Sequence, residues 1–224
     1  MAKTIDVYLE IGKKRVLATA ADWPGWCRAG KDEGSALQAL LEYGPRYQKI
    51  VGRSRLGFTA PKTLDAFHVV ERLKGNATTD FGVPGLVVQA EGRPIKPAEL
   101  RRLQTILKAC WRAFDDTVEG ARGHALKKGP RGGGRSTQGI VEHVVGAEGE
   151  GYLKALGGKP PKGADRDTLR VLTLGTLEAS MRGEVEKTGP RGGKRWPARY
   201  FVRRAAWHIL DHVWEIQDRL NDSE

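Results

Sequence analysis

The sequence predicts an α+β protein in two parts: a small mixed module over residues 1–94, then an up-down-up-down four-helix bundle over 95–224. Three observations carry this. Near the N-terminus apolar and polar residues alternate in "TIDVYLEI" and "KRVLATAA", the period of a half-buried strand. From Pro97 onward apolar residues recur at three and four, the period of a helix face. Between the two lies "GNATTDFGVPG", followed by Pro94 and Pro97, a run of turn and breaker residues.

In the first part, "GKK" between the alternating segments predicts a hairpin. "DWPGW" is a turn punctuated by Pro24 and Gly25, and "CRAG" is a short third strand. Asp32 offers an N-cap for "EGSALQALLEYGPRYQKIV", whose Leu37, Leu40, Leu41 and Tyr47 share a face. Pro45 is expected to end or kink this helix, because it lacks an N–H and its ring crowds the preceding turn. "FHVVERL" reads as a strand and "GNATTDFGVPG" as loop.

In the second part, Pro97 suits the first turn of "PAELRRLQTILKACWRAFDDTVEG", where Leu100, Leu103, Leu107, Cys110, Phe114 and Val118 form one face. Glycine-rich "HALKKGPRGGGR" breaks the chain. Ser136 or Thr137 caps "QGIVEHVVGAEGEGYLKAL", which Gly157 and Gly158 stop. Asp167 or Thr168 caps "LRVLTLGTLEASMRG", and the last helix runs from about Arg199 to Leu220. Four helices joined by loops of these lengths make a bundle.

Of the 224 residues, 39% are hydrophobic and 29% charged, the balance of a globular chain. No apolar run is long enough for a membrane span, and the charged N-terminus does not read as a signal peptide. The two cysteines, Cys27 and Cys110, have no metal or redox spacing; Cys110 lies on an apolar stripe and is expected to be buried and inert. With no export signal, two thiols point to a reducing cytoplasm. A net charge of +11 permits a nucleic-acid or anionic partner without requiring one.

The last helix carries "WHILDHVWEIQDR". Its apolar stripe is Phe201, Ala205, Ile209, Val213, Ile216 and Leu220, and His208 and His212 fall within that stripe at i, i+4. This spacing stacks two imidazoles on one face, where they can share hydrogen bonds or point at one metal ion. His143, in "GIVEHVVGAEGEGY", is the candidate third ligand, because it too lies on an apolar face. Of the five histidines, His68 belongs to a strand and His124 to a glycine-flanked loop. Three imidazoles leave a fourth position open, as in catalytic rather than structural zinc sites. Three histidines do not choose among zinc, nickel and iron. Glu142, Asp211 and Glu215 are near enough in sequence to orient the rings, though each is expected to face solvent. Trp207 and Trp214 are expected to pack between helices.

"KKGPRGG" at 127–133 and "KTGPRGG" at 187–193 are near copies, each before a histidine-bearing helix. They read either as solvated loops or as one basic mouth. In the second case Arg131, Arg135, Arg191, Lys194 and Arg195 would bind a carboxylate or phosphate.

His143 in "VEHVVGAEGEGYL" with "WHILDHVWEIQDR" resembles the DinB-like four-helix-bundle superfamily over about residues 95–224. The resemblance implies a divalent metal bound by His143, His208 and His212, and relatives that include transferases and isomerases dependent on low-molecular-weight thiols. "ATAADWPGWCRAGKDEGSALQALLEYGPRY" resembles the HicB-like antitoxin core over about residues 4–50: strand, D-x-P-G turn, strand, helix. A helical bundle follows here in place of a DNA-binding segment, so the module is expected to pack on the bundle or mediate association, including a homodimer.

Three functions compete. The first is a metal-dependent transferase or hydrolase acting on a small anionic substrate. The second is a non-enzymatic protein-binding module with the bundle as scaffold, which leaves the internal histidines unexplained. The third is nucleic-acid binding through the Arg/Gly loops, for which no recognised motif is present.

Overall fold

The structure is a computed structural model that describes residues 4–129, 134–190 and 192–221. The chain is α+β and divides into two compact units, Met1–Arg93 and Pro94–Glu224.

The first unit is a four-stranded sheet in the order β3-β2-β1-β4. Strands β1 (Ile5–Ile11) and β2 (Val16–Ala20) form the expected antiparallel hairpin, and β3 (Cys27–Gly30) extends it. β4 (Phe67–Lys74) pairs with β1 in parallel, so the intervening chain must cross over. Part of that crossover is α1 (Glu33–Val51). Its N-terminus carries a capping box: the Asp32 carboxylate accepts from Ser35 N at 2.8 Å, and Ser35 Oγ accepts from Asp32 N at 3.1 Å.

The "DWPGW" turn places Gly25 at φ 94°, which a side chain would resist. This seats Trp26 under α1, where its indole N–H donates to Leu40 O at 2.9 Å and its ring stacks on Tyr47. Phe58 meets both rings edge-on. The helix does not stop at Pro45; it continues to Val51. Beyond the proline, Tyr47 Oη donates to Pro24 O and Gln48 Oε1 accepts from Ala60 N, so tertiary bonds offset the lost helical one.

"GNATTDFGVPG" is not all loop. Asn76 caps a short helix, α2 (Ala77–Phe81), by accepting from Thr78 N at 2.8 Å. The fully buried Glu10 of β1 holds the following chain, accepting from Gly85 N at 3.1 Å and Leu86 N at 3.3 Å.

The second unit is helical. α3 (Pro97–Gly120) starts with Pro97 in its first turn and packs along α7 (Ala198–Asn221). At their adjoining ends Arg199 grips Glu99, with Nη2 2.6 Å from Oε2. α4 (Thr137–Gly146) is capped by Ser136, whose hydroxyl accepts from Gly139 N. It does not run regularly to Leu156, because a π-helical segment (Ala147–Leu153) intervenes before the short α5 (Lys154–Leu156). Gly157, at φ 114°, then ends the run as expected.

The cap of α6 (Arg166–Met181) is Asp165, two residues before the nearer expected one; its carboxylate accepts from Thr168 N at 2.8 Å. Asp115 of α3 accepts from both Arg166 and Arg170, tying α6 to α3. Cys110 is wholly buried in α3, and burial pushes its thiol far up, so it is inert. Among the described residues no helix is long and apolar enough to cross a membrane.

Candidate metal centre

α7 lies in the core of its unit: Phe201, Ala205, Ile209, Val213 and Ile216 are buried, and so are His208 and His212, at 7% and 8% exposure. α4 packs against α7 and brings His143 to the same place. The three imidazoles each offer a nitrogen within 4.8 Å of the other two. His208 Nε2 lies 3.1 Å from His143 Nε2. Ring centroids are 5.0 Å apart for His143 with either partner and 4.8 Å for His208 with His212.

Two nitrogens bound tetrahedrally at ion distances of about 2.0–2.1 Å lie roughly 3.4 Å apart. The His143–His208 separation is close to that value, so the donor set fits a divalent ion. Their protonation fits as well. Burial first, then the neighbouring rings and Arg204 and Arg135, hold His208 down to about 2. Burial, then His212 and Arg135, also lower His143. Both rings are therefore neutral near pH 7, with lone pairs available.

His212 is oriented through its other nitrogen. Glu215 Oε2 sits 2.8 Å from His212 Nδ1, and Glu215 Oε1 accepts from Arg219 Nη1 at 2.8 Å. Arg219 Nε in turn donates to Lys127 O at 2.7 Å. The carboxylate keeps the proton on Nδ1 and leaves Nε2 facing the other rings, the usual support of a metal-bound histidine. Contact with His212 also lowers the Glu215 carboxyl. Glu215 thus turns inward, contrary to the solvent-facing expectation. Glu142 does face solvent, bonded to Gln138.

The glycine-rich loop before α4 enters this chain of contacts. Gly134 has φ 137°, and a Cβ there would lie 2.8 Å from the Arg219 guanidinium carbon. Only a glycine lets the loop pass so close.

Of the five expected anion-binding residues, three are among the described residues. Arg135 is exposed beside the Ser136 cap, and its charge acts on His143 and His208. Lys194 is exposed in a bridge pairing with Thr188. Arg195 braces the end of α5, its Nη1 donating to Lys154 O at 2.6 Å. Arg131 and Arg191 lie outside the described residues. His68 sits against Asp6 in the first unit and His124 against Arg122 O; neither joins the cluster.

Sequence reasoning missed two neighbours. Tyr152, on the π-helical segment, has its ring 5.5 Å from His208, and burial raises its phenol, so it stays protonated. Arg204 stands one helical turn before His208, a position that the i, i+4 rule could have flagged. No protein-family model, curated protein or solved structure matches the chain.

Proposed function

We propose that residues 94–224 form a DinB-like four-helix bundle holding one divalent ion on His143, His208 and His212, and that the protein is a metal-dependent enzyme. The observation that carries this is the meeting of three imidazoles from two helices, with His143 and His208 held neutral chiefly by burial. Histidines sharing hydrogen bonds alone would not need three rings, nor a carboxylate–arginine brace on the third. A divalent ion with an open position supplies Lewis acidity, activating a bound water or thiol.

The chain's own contribution is to hold the rings and to bury two of them, His208 and His212. His212 is fixed by Glu215, and Glu215 by Arg219. Tyr152 remains a protonated hydroxyl beside His208 and serves as a hydrogen-bond donor. For the first unit we propose a HicB-like module. The support is its order of strand, D-x-P-G turn, strand and capped helix.

Elemental analysis of the purified protein tests the metal. About one equivalent of zinc, nickel or iron is expected in wild type. It should be lost or strongly reduced in His208→Ala and His212→Ala, because removing one of three ligands leaves too few for tight binding. Metal content unchanged in both variants would end the proposal.

A further inference from the structure

We infer that Arg204 is the oxyanion-binding residue of this centre, taking the carboxylate or phosphate of a small substrate whose other end reaches the imidazoles. Only the second half of that statement rests on the metal reading.

The geometry begins on α7. Arg204, His208 and His212 follow one another at intervals of four, so the guanidinium belongs to the helix face that carries the ligands. Arg204 Cζ lies 4.6 Å from the Trp207 ring centroid and 5.4 Å from that of Tyr152. The Tyr152 ring is itself 5.5 Å from His208, so it spans the space between guanidinium and imidazole.

Two aromatic rings thus flank the cation. Arg204 Nη1 is buried and has no hydrogen-bond partner, and no carboxylate pairs with Arg204 among the described residues. Arg199, Arg170 and Arg219 of the same unit each have a carboxylate partner, in Glu99, Asp115 and Glu215.

A buried donor on a charged group costs free energy when left unbonded, and a bound oxyanion would remove that cost. A planar guanidinium can present its fork to two oxygens at once, which favours carboxylate and phosphate over a neutral group. The surroundings favour an anion too. The carboxylate beside the rings, Glu215, is already taken by His212 and Arg219, while Arg135 adds a second positive charge near His143. A divalent ion on the three rings would deepen that potential.

Calorimetric titration of the full-length protein tests this, with inorganic phosphate for tetrahedral oxyanions and acetate for carboxylates. Each is titrated into metal-free protein and into protein loaded with zinc and dialysed. Wild type should bind at least one probe in both forms, and the tighter probe identifies the substrate's anionic group. Arg204→Gln should weaken that binding at least about tenfold in the metal-free form, with Arg204→Lys in between. Zinc content should be unchanged in both variants. The inference is overturned if Arg204→Gln binds both anions as tightly as wild type, or if wild type binds neither. Zinc absent from wild type while Arg204-dependent binding persists would remove the metal reading and leave the anion site standing.

Discussion

Glu215 shows how a single side chain decides what a histidine can do. By accepting from His212 Nδ1 at 2.8 Å it fixes which nitrogen faces the cluster. Its second oxygen is held by Arg219, and Arg219 by the Lys127 carbonyl, so the carboxylate has little freedom to turn away. Glu215→Gln keeps the shape but weakens the bond to the ring. Metal affinity is expected to fall about 10–100-fold, read by competition with a chelator; unchanged affinity would mean that the brace is only packing. At this scale much of the site was legible. The spacing of His208 and His212 within an apolar stripe placed both inside, and His143 followed from its own apolar face. Arg204 and Tyr152 were not legible, because their significance lies in what they fail to bond and in which ring they adjoin.

Among the elements, the π-helical segment after α4 departs most from expectation. Its sequence, "AEGEGYL", keeps enough apolar periodicity to read as ordinary helix. The glycines give the reason for the local geometry: a Cβ at Gly149 would lie 3.2 Å from Leu169, so this turn approaches α6 closely. The same turn buries Glu148, whose Oε1 accepts from Trp111 Nε1 at 2.7 Å. Burial raises the Glu148 carboxyl despite that bond. Its folded value thus exceeds the unfolded one, so its contribution to stability is fully present below about pH 4.5 and is lost as pH rises through the folded value, at about 1.4 kcal/mol per unit at most. Glu148→Gln retains the acceptor without the charge. In denaturant melts at pH 4.5 and 8, the variant should match wild type at the lower pH and exceed it at the higher. A difference independent of pH would contradict this assignment.

The strands, the caps at Asp32 and Ser136 and the long helices were readable from alternation and the three-and-four pattern, whereas the cap of α6 was expected too late in the chain. Pro45 and α2 were not readable, because tertiary bonds at Tyr47 and Gln48, and a cap at Asn76, outweighed local preference.

Across the whole molecule, the chemistry is unevenly distributed. The imidazole cluster, Arg204, Tyr152 and the buried Glu148 all belong to the unit from Pro94 onward, while the first unit carries the sheet and a compact aromatic core around Trp26. The two-part α+β organisation follows from a change of hydrophobic period along the chain, which is a sequence property. The meeting of α4 with α7 is not, since it depends on helices whose facing histidines, His143 and His208, lie 65 residues apart in sequence. An ion shared between them would join these distant segments, and its coordination therefore reports on the fold and the site together. X-ray absorption at the metal edge of the purified protein measures it directly. Three imidazole nitrogens at about 2.0–2.1 Å and one oxygen ligand from solvent are expected. A spectrum with two or fewer imidazoles, or with sulfur in their place, would contradict that arrangement.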